Sequence, residues 1–222
     1  MRHASLYRVG GYALVLGGLA AMIGIWLHPP QPMSLAEASA LPQAQWQLSH
    51  WLLALGTALT IGGFVALIRH FGASASEGWA AVGLGIAVLG AANIITVVAP
   101  EVGSFSMLVG REGDVAAQHA YEAINTHLMG LIPVAATLFW VGIGCFALAL
   151  SRDAAFPRWL GLLGVAVAVV ELASGFLVEE NWNLARLLYS LGNIWIALFG
   201  AFAARVATAV PAAAPTAAAG VH

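Results

Sequence analysis

Leu128-Met129-Gly130-Leu131-Ile132-Pro133-Val134-Ala135-Ala136-Thr137-Leu138-Phe139-Trp140-Val141-Gly142-Ile143-Gly144-Cys145-Phe146-Ala147-Leu148-Ala149-Leu150 is a run of 23 residues without a charged side chain. At a rise of about 1.5 Å per residue it reaches about 34 Å as a helix, enough to cross roughly 30 Å of bilayer hydrocarbon. It is not an isolated core helix, because the whole 222-residue chain is 61% apolar and 8% charged with a mean hydropathy of +0.88. Working outward, segments 9–27, 49–68, 79–98, 159–178 and 185–204 have the same character. The expected fold is therefore all-α: one bundle of six transmembrane helices over residues 1–206, followed by a disordered Ala/Pro-rich tail at 207–222.

Arginines set the expected orientation, because Arg and Lys flanking a span are retained on the cytoplasmic side. An even number of spans puts both termini on one face. That face collects Arg2, Arg8, Arg69, Arg152, Arg158 and Arg205, against Arg111 and Arg186 on the other. Both termini are expected in the cytoplasm. Glu37, Glu101, Glu112, Asp114, Glu122, Glu179 and Glu180 then lie outside, where they describe the surface without deciding the orientation. Arg2 and Arg8 before an apolar run also suit a secretion signal, but the run is too long and His28-Pro29-Pro30 is no cleavage site, so the segment reads as a span. Among the outer connections, Ser34-Leu35-Ala36-Glu37 has the capping-box pattern and predicts a short interfacial helix. Residues 99–127 contain Pro100, Gly103, Gly110 and Gly113, then Asp114, placed to cap a helix running on into the fourth span.

Composition removes several chemistries. All eight basic residues are Arg, so a lysine Schiff base and a Walker-type phosphate loop are excluded. The single Cys145 allows no internal disulfide and no paired-cysteine zinc site. A net charge of −2 gives no reason to expect nucleic acid. No Gly-x-Ser-x-Gly elbow is present.

The chemistry-bearing residues gather on the expected outer face. His28 ends the first span, His50 opens the second, and His119 and His127 flank the start of the fourth. On a helix His119, Glu122 and Thr126 share a face, with Ala123, His127, Gly130 and Val134 beside it. His50, His119, Glu122 and His127 are thus candidates to ligate a transition metal or a haem iron. The competing reading has the imidazoles resting in the headgroup region, where amphipathic rings are at home. Within the spans, Glu171, Arg186, Asn93 and Asn193 are polar at outer depth, and with His50 and His127 they are candidates to line one pocket open to the outside. Equally, Glu171 pairs with Arg186 and the asparagines bond across helices to hold the packing.

Other features are read as structural. Gly10, Gly17, Ala21, Gly24 and His28 follow one face of the first span and predict close helix packing, as do Gly83, Gly85 and Gly90 in the third. Trp26, Trp46, Trp51, Trp79, Trp159 and Trp182 lie near span ends as an aromatic belt. Met22, Met33, Met107 and Met129 read as filler, and Pro133 as a kink.

Pro157-Arg158-Trp159-Leu160-Gly161-Leu162-Leu163-Gly164 and Asn193-Ile194-Trp195-Ile196-Ala197, with His28-Pro29 and the stretch from Trp46 to His50, resemble a group of bacterial six-helix membrane proteins of unknown function. The resemblance implies six helices and carries over no catalytic residue. The expected protein is a multi-pass component of a bacterial inner membrane, in contact with lipid and with self-association open. Its expected role is a binding or accessory protein for a small lipid-soluble ligand, haem or a metal. The alternative is a haem- or metal-dependent membrane enzyme acting on an apolar substrate. A transporter is disfavoured, since no matched halves or broken-helix repeats are evident.

Overall fold

The structure, a computed structural model, describes the backbone of residues 2–71, 76–174 and 181–209, with side chains over 5–71, 76–174 and 181–206. Glu179, Glu180 and the part of the expected tail from 210 onward lie outside the described residues. The chain is all-α, with no strand among the described residues. Its helices are α1 (Arg2–Leu27), α2 (Leu35–Ala40), α3 (Gln43–Leu67), α4 (Glu77–Val102), α5 (Ser104–Leu108), α6 (Val115–Leu150), α7 (Arg158–Ser174) and α8 (Trp182–Ala209). Among the described residues five helical stretches are long and apolar enough to cross a membrane, namely Ser5–Leu27, Gln43–Phe71, Glu77–Leu108, Val115–Leu150 and Trp182–Val206. The expected fifth span begins with α7, described over 17 residues, and its remainder at 175–178 lies outside the described residues.

Local chemistry explains the helix ends. Asp114 accepts from the amides of Ala116 (2.9 Å) and Ala117 (3.3 Å), so α6 starts well ahead of its apolar part and continues unbroken through Pro133. Ser34 caps α2 by accepting from the Glu37 amide (3.2 Å), whereas the Glu37 carboxylate reaches back to the amide of Met33 (2.8 Å) rather than to that of Ser34. The 99–102 stretch is helical, since α4 runs through Pro100 to Val102. Gly110 sits at φ 83°, a left-handed conformation that glycine adopts without strain, where the chain turns toward α6. α8 reaches Ala209, so the expected tail begins as helix.

The long helices form a closed ring in which α1, α3, α4, α6, α7 and α8 each pack on the next and α8 returns to α1. Glycine makes the tightest of these contacts. A Cβ on Gly17 would lie 2.8 Å from the Thr60 nitrogen, and one on Gly56 2.6 Å from the nitrogen of Ala21, so backbone meets backbone along α1 and α3. One residue further round α1, Gly11 and Gly18 meet Gly200, Ala204 and Asn193 of α8 in the same manner. Interfaces of this type replace the hydrophobic effect, absent in lipid, by close van der Waals contact.

Filling differs between the two ends of the ring. At one end Phe64, Phe146, Trp195 and Phe199 interlock with ring centroids 4.6 to 6.1 Å apart. Tyr7, His70, Phe71 and Phe156 close that end, where His70 pairs with Asp153 (3.2 Å) and Arg152 lies over Trp79. At the other end the ring encloses a cavity.

Candidate functional site

The cavity holds about 270 Å³ and is lined from α1, α3, α4, α6 and α8 and from the segment that follows α1. Most of its wall is apolar, with Ile25, Leu53, Ile94, Val97, Phe139 and Trp140 prominent. His28, Gln31, His50, Thr57, Glu101, Tyr189 and Asn193 are the polar groups that interrupt it. Pro133 lines the cavity and is also exposed, so the cavity reaches the surface beside α6.

His28, His50 and Glu101 form its polar centre, all of them buried. His50 Nε2 lies 2.8 Å from Glu101 Oε2 and 3.2 Å from His28 Nε2. Each imidazole is oriented by a backbone carbonyl: His50 Nδ1 donates to Trp46 O (2.7 Å) and His28 Nδ1 to Pro29 O (2.5 Å). Because a carbonyl can only accept, the Nδ1 atom carries a proton in both rings and the Nε2 atoms face Glu101 and each other. The indole of Trp46 completes the arrangement by donating to the Glu101 carbonyl (3.0 Å) and packing on both rings at 4.3 and 5.1 Å. Burial, reinforced by His50 and Arg186, pushes the His28 imidazole down to about 3, so it is neutral.

The segment bearing His28 is pinned from several sides. Trp182 donates to the His28 carbonyl (3.3 Å), Tyr121 to the Pro32 carbonyl (2.7 Å), and Gln31 to Asn125 Oδ1 (3.2 Å). Arg186 stacks on Trp26 (5.3 Å) and Trp182 (6.0 Å), and it bonds Asn183 and the Trp26 carbonyl. Positive charge therefore already stands against the wall formed by α1 and α8.

The expected site residues divide. His50 and Asn193 line the cavity, and Asn193 uses its amide on its own helix, donating to Tyr189 O (2.9 Å). Asn93 is outside the lining and donates to Leu89 O (2.9 Å) in the same helix. His119, Glu122 and His127 are exposed. The face α6 turns inward is Ala117, Tyr121, Asn125 and Leu128, at helical spacing, which leaves the other three on its outer side, apart from His50. Among the described residues no three His, Cys, Asp or Glu side chains are placed to hold a metal ion.

Glu171 and Arg186 do not meet. Glu171 is buried, its Oε1 accepting from the Gly192 amide (2.8 Å), while among the described residues its Oε2 has no partner and neither has Arg186 Nε. Arg186 precedes Gly192 by six residues, a rise of about 9 Å and some 240° of rotation, so it turns toward α1 while Glu171 approaches from α7.

Sequence reasoning missed Glu101, Trp46 and His28 as site residues, His28 having been read with the packing face of the first span. Trp46 is buried at the site instead of standing in the aromatic belt, and Glu101, placed on the outer surface by its position after Pro100, is 3% exposed. The available signal was the spacing of Val97, Val98 and Glu101, which one helix continuing past the proline puts on one face. Comparison with known protein families, curated proteins and solved structures returns no match, so the functional reading rests on the geometry of this cavity alone.

Proposed function

We propose that the protein spans a bacterial inner membrane six times with both termini in the cytoplasm, and that the outer half of its ring binds a small lipid-soluble molecule. The sixth span in this reading is α7, which packs between α6 and α8 in the ring. The orientation is supported by the clustering of Arg8, Arg69, Arg152, Arg158 and Arg205 at the filled end, leaving Arg111 and Arg186 near the cavity. The observation that carries the binding role is an apolar cavity of about 270 Å³ with His28, His50 and Glu101 converging in its wall. Apolar walls with a few convergent polar groups are the usual form of a small-molecule site.

Solvent extraction of the protein purified in mild detergent, followed by mass spectrometry, tests this reading. A low-mass apolar compound should co-purify. Ala136→Phe, which fills the cavity, should lose it, and Val134→Phe, exposed on the same helix, should keep it. An extract without such a compound, or equal loading of both variants, would overturn the binding role. A Soret band or a stoichiometric metal in the same preparation would instead favour the haem- or metal-dependent enzyme.

A further inference from the structure

The hydrogen atoms available at the polar centre define what the cavity can bind. With both Nδ1 protons directed at carbonyls, the two Nε2 atoms and Glu101 Oε2 are three acceptors placed 3.2 and 2.8 Å apart. A proton between His50 Nε2 and Glu101 Oε2 serves that contact, and His28, with its own proton on Nδ1, presents Nε2 to His50 as an acceptor. No donor is then left over, while the carboxylate keeps lone pairs.

The rest of the wall has the same bias. The amide nitrogens of Gln31 and Asn193 are engaged by Asn125 Oδ1 and Tyr189 O. Pro133 has no N–H to offer the carbonyl of Met129 four residues earlier, and both residues line the cavity. Apart from the Thr57 hydroxyl, the wall around the polar centre is rich in acceptors and poor in donors, and a buried acceptor without a donor is unfavourable.

From this, and resting on the binding role proposed above, we infer that the ligand is a neutral aromatic alcohol of the phenol or hydroquinone class, whose O–H donates to the Glu101 carboxylate. A flat ring suits the aromatic surfaces of Phe139, Trp140 and Trp182. An apolar cavity of roughly 150 Å³ takes one benzene ring, so about 270 Å³ takes a substituted ring. A cationic head group, the other donor class that aromatic walls attract, is opposed by Arg186, whose guanidinium already occupies the Trp182 face.

Isothermal titration of the full chain in mild detergent, under argon, with decylhydroquinone, its dimethyl ether and decyltrimethylammonium tests the inference. The hydroquinone should bind saturably and at least tenfold more tightly than the ether, which keeps the ring and loses both O–H groups. Glu101→Gln, which replaces an acceptor oxygen by a donor, should weaken the hydroquinone by tenfold or more and leave the ether unchanged. If that variant does not fold, the comparison of the two ligands on the unaltered chain decides. Equal affinity for the ether, or preference for the ammonium compound, overturns the inference and leaves the cavity as a binding site. Failure of all three to bind a protein that yields a co-purifying compound overturns the inference alone, whereas the absence of any such compound overturns the binding role itself.

Discussion

His28 shows how one side chain ties stability to acidity. Its folded-state pKa is about 3 against a usual 6.5, lowered chiefly by burial. The unfolded chain therefore takes up a proton that the folded chain refuses, and stability falls as pH drops below 6.5 and continues falling toward 3. Unfolding in detergent should show stability lower by about 2 kcal/mol at pH 5 than at pH 7.5, and His28→Gln should flatten that slope. An unchanged slope in the variant would place the titrating group elsewhere. Much at this scale was legible in the sequence: an outer-face histidine near the start of the second span implies a polar centre at that depth, and His50 supplies it. Glu101 was not legible, because Pro100 suggests a helix end, whereas a proline that keeps the helical direction lets the next carboxylate turn inward. Glu171 and Arg186 mislead in the opposite way. Charge and depth suggest a pair, but which face of α8 each residue meets depends on the ring, and the ring is not written in either residue.

Helix contacts are where small residues act. Gly56 faces the nitrogen of Ala21 at a distance that excludes any Cβ, whereas Gly62 on the same helix has nothing within 4 Å of the corresponding position. Gly56→Ala should therefore destabilise the protein by about 1–3 kcal/mol through overpacking, while Gly62→Ala should be neutral or stabilise it by up to about 1 kcal/mol through helix propensity. Thermal unfolding of the two variants in one detergent is the check, and equal behaviour would mean that the α1–α3 contact yields freely. The spacing of Gly10, Gly17 and Gly24 announced this contact, because glycines seven residues apart stay on one side of a helix. Gly11 and Gly18 have the same spacing, and the contact they make with α8 was overlooked because adjacent residues read as one wide face. They serve two neighbours.

For the whole molecule, orientation is the property that assigns the cavity to a compartment. Cys145 is the only cysteine and is half-buried within α6, so Cys145→Ser provides a background without thiols. In that background Arg111→Cys should react with a membrane-impermeant maleimide in intact cells, and Arg69→Cys only after permeabilisation. The reverse pattern would turn the cavity toward the cytoplasm. Hydropathy located five of the six expected spans on helices long and apolar enough to cross a membrane among the described residues, since it depends on local composition. The closed ring and the contrast between its filled and hollow ends come from side chains on helices distant in the chain, and no window of sequence contains them.

That α8 packs against α1 bears on how the protein is made. α1 is synthesised before α8, so the side of α1 bearing Gly11 and Gly18 must face lipid until α8 has been inserted. The cavity gains its α8 wall, with Tyr189 and Asn193, at the same moment. Assembly and binding competence thus arrive together, and a nascent chain halted before Trp182 has a polar centre already made but no enclosure around it.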